Sequence, residues 1–365
     1  MRFGKAKILM KSFFECSFFS DTVTVPIDKR FAVLQSELVL NQNGNKTSDG
    51  KFSFSKIDVE YSCQWTPQTN FDSEKTTILI PIRDNADLLD VTVNNLKKHG
   101  IDSLCNVIII DDRSEENIKE IAINNELSYL RVDNEKGFNF SMLNNIPAKI
   151  CNDMGVENII LWNSDLWCVK REWLENIINK HNEDESVLSG AKLIYPPVEH
   201  SMTKEEDSEN IMAHFPHMSG GKWRDTIQFG GDRWNINAGQ PVLLSPQHYG
   251  RFLKKDDKRV DCDRGSSFIT GAFQILDLKY FIKLGGLNPS LSKNFQDTDL
   301  CLRCVQDDRI PMYYGKDGYF YHDESLNFYN IEKSGKGKKK DGQLVSDFYL
   351  FGRIWNNLFS SLGLI

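Results

Sequence analysis

Acidic side chains recur where apolar segments of this 365-residue chain end. Asp84, the pair Asp111 and Asp112, and Asp165 each follow a run of mostly apolar residues within a few positions. A cluster of carboxylates is electrostatically costly unless a cation or a hydrogen-bonding ligand joins it. Hard divalent ions with oxygen ligands, Mg²⁺ or Mn²⁺, supply such a partner and hold phosphate-bearing substrates. The acids therefore predict a metal-assisted site for a phosphorylated ligand.

The apolar runs before these acids are typical of strands buried on both faces. Segment 84–99 has apolar residues at helical spacing, and Gly100 ends that predicted helix. Strands alternating with helices predict βαβ units and a parallel sheet, in which ligands bind at the carboxyl ends of the strands. An ordinary polar turn after each strand is the alternative. The predicted strands are 77–82, 106–110, 127–132 and 158–162.

Two common phosphate-binding motifs are absent from the sequence. Neither a G-x-x-x-x-G-K-[ST] loop nor a G-x-G-x-x-G turn occurs, so neither a P-loop nor a nicotinamide site is supported. Cys301 and Cys304 have C-x-x-C spacing, but no second pair or His partner stands at zinc spacing. Buried thiols on a helix are the prediction there. The scattered cysteines favour a reducing, cytoplasmic setting.

Charge and hydropathy restrict the partners of the chain. The net charge of −7 gives no overall positive field for nucleic acid. Lys336 and residues 338–340 form a local basic group, typical of a solvated loop or of contact with an anionic membrane surface. No uncharged apolar run approaches the roughly 18 residues of a spanning helix, and Lys11 and Glu15 interrupt the apolar N-terminus, so we expect no signal peptide. The expected location is cytoplasmic, with peripheral attachment to the inner membrane face as the alternative.

The flanking segments differ from the central one. Residues 21–66 alternate in a way that predicts a small antiparallel β unit, which packs on the main domain or makes a homo-oligomer contact. Residues 195–265 break the strand and helix rhythm, which is typical of functional loops. Residues 348–365 have a helical pattern with few charges and dock on the protein itself or lie at a membrane interface. The predicted parts are 1–74, a β-rich extension; 75–330, the main domain; and 331–365, a basic loop and amphipathic helix.

Seven motifs in the main domain together resemble a known family. They are T-I-L-I-P-I-R-D (77–84), I-I-I-D-D-R-S (108–114), G-F-N-F-S-M-L-N-N (137–145), I-L-W-N-S-D (160–165), I-T-G-A-F (269–273), F-Q-D-T-D-L-C-L-R (295–303) and Y-H-D-E-S (321–325). In this order and spacing they resemble family-2 glycosyltransferases, in particular rhamnosyltransferase-like members that build bacterial surface polysaccharides. The resemblance implies a GT-A fold, an α/β Rossmann-like and mostly parallel sheet flanked by helices.

The resemblance also implies roles for single residues. Asp165 matches the last acid of the D-x-D motif, which carries the metal and the diphosphate, and His322 matches a His near them. Asp297 matches the second residue of the E-D motif, the catalytic base, and Gln296 stands where the acceptor is positioned. The positions that match nucleotide and donor-sugar binding are Pro81, Arg83, Asp84, Asp111, Asp112, Gly137, Asn144, Asn145, Asn163, Gly271 and Ala272.

Three positions depart from the family pattern. Asn163 replaces the first Asp of D-x-D, which leaves one anionic ligand, and Gln296 replaces the Glu of E-D. Asp323 replaces the second residue of the usual H-H pair, so the metal shell differs. Within segment 195–265, Trp223 and Trp234 either stack on acceptor sugar rings or belong to the core.

The implied activity is inverting transfer of a sugar from a UDP- or dTDP-sugar to a saccharide or lipid-linked saccharide acceptor, with Mg²⁺ or Mn²⁺. We expect Asp297 just ahead of a helix and Asp299 in its first turn. Two other classes stay open: a GT-A protein that binds without catalysis, and a metal-dependent nucleotidyltransferase. The phosphate loop of the latter, rich in Gly, Arg and Lys, is missing, because residues 83–90 read R-D-N-A-D-L-L-D.

Overall fold

The computed structural model describes residues 45–46, 51–54, 57–133, 138–202, 223–236, 243–324 and 342–361. Thirteen strands of this part form one sheet, and two more pair separately. The strands are β1 (Asn45–Lys46), β2 (Lys51–Phe54), β3 (Ile57–Thr66), β4 (Thr77–Ile82), β5 (Asn106–Asp111), β6 (Ser128–Asp133), β7 (Asn158–Trp162), β8 (Leu166–Cys168), β9 (Leu188–Ile194), β10 (Ile227–Phe229), β11 (Asp232–Ile236), β12 (Leu244–His248), β13 (Asp263–Gly265), β14 (Phe273–Asp277) and β15 (Met312–His322).

Four parallel strands form the centre of the large sheet, in the order β6, β5, β4, β7. Every residue of β4 and β5 is buried, which matches their unbroken apolar sequences, because helices cover the faces of such a sheet. All four strands run in one direction, so the polar residues that follow β4, β5 and β7 meet at one edge. The sequence predicted each of these strands to within a residue or two.

Antiparallel strands extend this centre on both sides. β3 pairs with β6, and β2 pairs with β3, so the described part of the predicted N-terminal β unit continues the sheet. On the other side β14 lies between β7 and β9, and β15 runs parallel to β9. The predicted fold class is confirmed: an α/β sheet with a parallel centre carries the helices. The part of the N-terminal unit before residue 45 lies outside the described residues.

Helices connect and cover the strands. The free thiols of Cys301 and Cys304 are buried on the helix Gln296–Gln306, as their spacing predicted. None of the helices in the described ranges is long and apolar enough to cross a membrane. The helices are α1 (Ala86–Lys98), α2 (Ile101–Leu104), α3 (Ile118–Asn124), α4 (Phe140–Asp153), α5 (Arg171–Glu183), α6 (Leu278–Lys283), α7 (Gln296–Gln306) and α8 (Gly342–Ser361), with one 3-10 turn at Val198–His200.

Two predictions about local structure were wrong. Helix α7 begins at Gln296, so Asp297 lies in its first turn and not ahead of the helix. The helix starts early because Phe295 takes the left-handed conformation, with φ of 66°, and turns the chain into the helix without a side-chain cap. The described parts of segment 195–265 are also more regular than predicted, since they contain β10 to β13. These strands have three to five residues, too few to show an alternating pattern.

Candidate active site

The loop after β7, residues 163–165, is fixed through its backbone. The N–H of Asn163 donates to the carbonyl of Ala272 at 3.0 Å. The carbonyl of Asp165 accepts from the N–H of Asp323, also at 3.0 Å. The loop is therefore tied to the turn before β14 on one side and to the end of β15 on the other.

The end of β15 brings His322 to Asp165. The Nε2 atom of His322 lies 3.3 Å from Oδ1 of Asp165, and both side chains are buried. Burial lowers the pKa of His322, but the surrounding carboxylates of Asp165, Glu324 and Asp323 together outweigh burial and leave that pKa above its ordinary value. Neither ring nitrogen of His322 makes a hydrogen bond to any described group. A buried carboxylate and imidazole with spare capacity are suited to a ligand that supplies positive charge or polar atoms.

A divalent cation fits this pair. Asp165 offers an anionic oxygen and His322 an imidazole nitrogen, both of which are ligands that Mn²⁺ accepts. Mg²⁺ and similar ions are often held by only one or two protein groups together with substrate phosphates. Within the ranges that the structure describes, no three His, Cys, Asp or Glu side chains gather in a metal-binding arrangement. Any ion at this pair would therefore take most of its remaining ligands from substrate and water.

Asp297 is held by two backbone groups. Its Oδ2 accepts the N–H of Gly271 at 2.7 Å, and its Oδ1 accepts the N–H of Thr298 at 2.7 Å. Its side chain keeps partial solvent access. The protein packed around it raises the pKa of Asp297, while the two N–H donors act in the opposite sense. A pKa raised toward the working pH favours a carboxylate that accepts a proton.

The turn at Gly271 and Ala272 joins these two groups. Gly271 donates to Asp297, and the next residue accepts from Asn163 in the Asp165 loop. A Cβ on Gly271 would lie 3.2 Å from the Cβ of Asp297, so the absence of a side chain permits this close approach. Two hydrogen bonds, joined through the backbone of this turn, thus link the candidate base to the loop of the candidate metal ligand.

Asp112 is an acid without a full partner at the same edge. Both of its carboxylate oxygens are buried and accept no hydrogen bond from any group in the described ranges. A cation, Arg83, lies near it, with its Nη1 atom 3.7 Å from Oδ2 of Asp112. Burial raises the pKa of Asp112 to about 6, against the opposing effect of Arg83. An unsatisfied buried carboxyl indicates a place where a hydrogen-bonding ligand binds.

The neighbouring Asp111 has a different role. Its carboxylate accepts from the hydroxyl of Tyr129 at 2.5 Å, from Arg131 at 3.0 Å and from the N–H of Ser114 at 2.7 Å. Tyr129 and Arg131 were not among the residues that the sequence singled out. Their spacing of two along β6 places them on one face of the strand and was the available signal. Asp111 fixes the loop that carries Asp112.

The other residues that were predicted to bind the nucleotide or the donor sugar mainly contact the protein backbone. Oδ1 of Asp84 accepts the N–H of Glu115 at 2.8 Å, and Asn145 exchanges two hydrogen bonds with the backbone of Leu287. The side-chain N–H of Asn144 donates to the backbone carbonyl of Phe140, and its side-chain oxygen Oδ1 has no partner among the described groups. Pro81 is buried within β4. Gly137 lies outside the described residues.

The predicted acceptor residues are divided between core and site. Trp234 is buried, and its Nε1 donates to the hydroxyl of Ser267, so it takes the core role. Trp223 is also buried, against Tyr195, but its Nε1 meets no acceptor in the part of the chain described. Gln296 donates to the carbonyl of Lys293, two residues before the left-handed Phe295, and its buried Oε1 has no described partner.

A half-buried polar cluster beside His322 was missed by the sequence reasoning. Glu324 forms an ion pair with Arg251 and accepts a hydrogen bond from the hydroxyl of Tyr195 at 2.6 Å. Burial acts to raise the pKa of Glu324, but Arg251, the neighbouring histidines and the Tyr195 hydroxyl together outweigh it and keep that pKa well below the ordinary value. Glu324 belongs to the Y-H-D-E-S motif, whereas nothing in the sequence around Arg251 indicated the pair. The cluster pairs one positive with one negative charge, and its Glu324 carboxylate also acts to raise the pKa of His322.

We expect the charge of Asp112 to cost stability at neutral pH. Its pKa is 3.8 when exposed and about 6 in the folded protein, so the folded state binds more protons between these values. Stability from this group is fully present below about pH 4 and is lost as the pH rises through 6. At pH 7.5 the free energy of unfolding of Asp112→Asn, measured in urea, is therefore expected to exceed that of the wild type by up to about 3 kcal/mol.

The matched control for this measurement is Asp111→Asn. Removing that charge leaves Arg131 and the Tyr129 hydroxyl with a weakened acceptor, so the control is expected to be less stable than the wild type at pH 7.5. The gain in Asp112→Asn is expected to disappear at pH 4. An equal gain at both pH values would contradict an uncompensated buried charge at Asp112.

Comparison with known proteins gives partial likenesses. No family model matches the chain. Over 235 residues the chain is 28% identical to the uncharacterized protein y4gI of Sinorhizobium fredii (strain NBRC 101917 / NGR234). This match covers 62% of the chain and 22% of the relative, so the chain spans about a fifth of the length of the curated relative it matches.

Two solved structures that it resembles are glycosyltransferases. GalNAc-T7 with UDP, GalNAc and Mn²⁺ is 14% identical, with a TM-score of 0.48, over 68% of this chain and 43% of that chain. Mannosyltransferase PcManGT from Pyrobaculum calidifontis, in complex with GDP-Man and Mn²⁺, is 9% identical, with a TM-score of 0.41, over 100% of this chain and 84% of that chain. Because both TM-scores are below 0.5, the function of this chain is inferred below from its own residues.

Proposed function

We propose that this chain is an inverting glycosyltransferase of the GT-A, family-2 type that uses a nucleotide-diphosphate sugar. The observation that supports it most is the hydrogen-bonded chain from Asp297 through the 271–272 turn to the loop of Asp165. It holds one partly exposed carboxylate close to a buried acid and imidazole, at the carboxyl ends of parallel strands. One proton acceptor beside one pair able to hold a cation, which neutralises the leaving diphosphate, is the minimum that this direct displacement requires.

The proposed reaction is a single displacement. The oxygen of an acceptor hydroxyl attacks the anomeric carbon and forms the new glycosidic bond. The bond from that carbon to the phosphate oxygen breaks, and its electron pair stays on the oxygen of the departing nucleoside diphosphate. The hydroxyl proton passes to Asp297, and the configuration inverts because no covalent intermediate forms. The N–H groups of Gly271 and Thr298 hold the carboxylate in place for this transfer. General base catalysis of this kind contributes about 10² to 10⁴ in rate.

The proposed nucleotide site lies across the ends of β4 and β5. Asp112 has two free acceptor oxygens for donors of a base or a ribose, and Arg83 lies within reach of the same ligand. Asn163 and Asp165 then stand between the nucleotide and the sugar. A bound Mg²⁺ or Mn²⁺ on Asp165 and His322 would supply positive charge to the leaving diphosphate. UDP and dTDP are the proposed nucleotides.

The proposed acceptor is a saccharide or a lipid-linked saccharide in surface polysaccharide synthesis. Gln296 precedes the base directly, and its unpaired Oε1 can accept from a sugar hydroxyl. The indole N–H of Trp223, in the described part of segment 195–265, is a donor without an acceptor among the described groups. The proposed setting is the cytoplasm, with peripheral attachment to the inner membrane face as the alternative.

The test is a panel of nucleotide sugars incubated with the pure protein and Mn²⁺. We expect one UDP- or dTDP-sugar to be hydrolysed slowly in the absence of acceptor and to raise the melting temperature, because a ligand that binds only the folded state stabilises it. A matching nucleoside monophosphate serves as the control, since it lacks the diphosphate. Stabilisation by the monophosphate equal to that by the nucleotide sugars, with no hydrolysis of any of them, would contradict the proposed function.

A further inference from the structure

One face of the C-terminal helix α8 contacts the segment that carries Asp297. Asp347, Phe351 and Trp355 stand four residues apart, so they lie along one side of the helix. All three are buried, while Arg353 on the same helix is exposed. Each of the three meets a different part of segment 292–299.

Asp347 holds the backbone ahead of the base. Its Oδ1 accepts the N–H of Ser292 at 3.2 Å, and its Oδ2 accepts the N–H groups of Lys293 at 2.7 Å and Asn294 at 3.1 Å. Both oxygens are used, and the side chain is only 1% exposed. Hydrogen bonds that backbone N–H groups donate to a carboxylate are stronger than those to a neutral acceptor, so Asp347 holds residues 292–294 firmly in position.

Phe351 supports the left-handed residue at the start of α7. Phe295 has φ of 66°, a conformation that bulky residues rarely adopt and that persists only where the surroundings impose it. Its ring stacks on Phe351, with centroids 4.5 Å apart and planes 19° apart. The conformation of Phe295 sets the direction in which Gln296 and Asp297 leave the turn.

Trp355 fixes the first turn of α7 from the other side. Its Nε1 donates to Oδ1 of Asp299 at 3.1 Å, and Oδ2 of Asp299 pairs with Arg303 at 2.9 Å. Arg303 in turn donates to the carbonyls of Leu284 and Gly286. Asp299 is fully buried with structural partners on both oxygens, whereas Asp297 keeps partial solvent access, so Asp297 is the acid of this turn that can meet a ligand.

We propose that α8 is part of the catalytic apparatus, in which Asp347 and Trp355 are positioning residues that hold Asp297 at the distance and direction that transfer needs. The proposal rests on the proposed function, because it takes Asp297 as the base. It gives the C-terminal helix a role inside the protein rather than at a membrane. Misplacement of a reacting group by about 1 Å costs about 10²-fold in rate, so small changes under α7 are expected to be visible.

The test uses Asp347→Asn and Trp355→Phe, with Arg353→Ala as the matched control on the exposed side of α8. In Asp347→Asn one oxygen becomes an amide that points its hydrogens at backbone N–H groups. Trp355→Phe keeps an aromatic ring but removes the hydrogen bond to Asp299. The fraction of sites that bind nucleotide, measured by calorimetry, normalises each rate, so partial unfolding does not count as lost catalysis.

We expect both variants to lose about 10- to 100-fold in kcat per binding site, with the KM for donor and the nucleotide Kd within about twofold of the wild type. Hydrogen exchange of residues 292–295 is expected to accelerate in Asp347→Asn and to stay unchanged in Arg353→Ala. This arm needs no activity and tests the contact itself.

The outcomes separate this inference from the proposed function. If Asp297→Asn abolishes transfer while Asp347→Asn and Trp355→Phe transfer at the rate of Arg353→Ala, only the role of α8 is overturned. If Asp297→Asn transfers normally, the assignment of the base fails, and this inference fails with it. Unchanged exchange of residues 292–295 in Asp347→Asn would overturn the inference whatever the rates are.

Discussion

Replacing Asp297 by Asn is expected to lower the rate of sugar transfer by about two to four orders of magnitude, while the nucleotide still binds. The amide cannot accept the proton of the acceptor hydroxyl. One of its two ends also no longer accepts a backbone N–H, from either Gly271 or Thr298, so we expect a loss of about 1 kcal/mol in stability. Single-turnover transfer and urea unfolding of the same preparation measure both effects.

Asp307→Asn is the matched control, because Asp307 is an exposed acid at the other end of α7. It is expected to transfer at the wild-type rate. Asp299→Asn is not a useful control for the base, since it breaks the buried pair with Arg303, a change that typically costs about 3–5 kcal/mol. Transfer by Asp297→Asn within a few-fold of the control would show that the base lies elsewhere.

The parallel centre of the sheet could be predicted from the sequence because its signal is local. β4, β5 and β7 are short apolar runs, each followed by polar residues, and both faces of each strand are buried. Burial on both faces removes the alternation that other strands show. The edge at which Asp112 and Asp165 lie followed from the direction of these strands alone.

Elements whose partners are distant in sequence could not be predicted. β15 gains its place by pairing with β9, over a hundred residues earlier, and its sequence of mixed aromatic and polar residues gave no clear period. The left-handed Phe295 depends on a ring 56 positions later, Phe351. The early start of α7 was missed for the same reason.

The sequence also could not separate acids that stabilise the fold from acids that await a ligand. Asp111 and Asp112 are adjacent and chemically identical, yet one has three donors and the other has none among the described groups. Asp299 and Asp297 differ in the kind of partner: Asp299 is fully buried between Arg303 and Trp355, whereas Asp297 keeps partial solvent access and accepts from Gly271 and Thr298. Residue type and spacing predicted where the acids gather, and their partners decide what each one does.

Replacing Asp165 by Asn is expected to remove the part of nucleoside diphosphate binding that depends on Mg²⁺ or Mn²⁺. The carboxylate supplies the negative charge of the pair with His322, and a neutral amide is a weaker ligand for a hard cation. We expect the Kd measured with Mn²⁺ to rise at least about tenfold, equal to about 1.4 kcal/mol, and to match that of the wild type in chelator. Isothermal calorimetry with and without Mn²⁺ gives both values.

Asp323→Asn is the matched control, because Asp323 is a second buried acid next to His322 whose carboxylate is engaged elsewhere. Its Oδ2 accepts the hydroxyl of Ser201 at 2.8 Å and the N–H of Met202 at 2.9 Å. Losing that charge is expected to lower stability but to leave the effect of Mn²⁺ on binding intact. If Asp165→Asn keeps the full Mn²⁺ effect and Asp323→Asn loses it, the cation is bound through Asp323 and the assignment of Asp165 as its ligand is wrong.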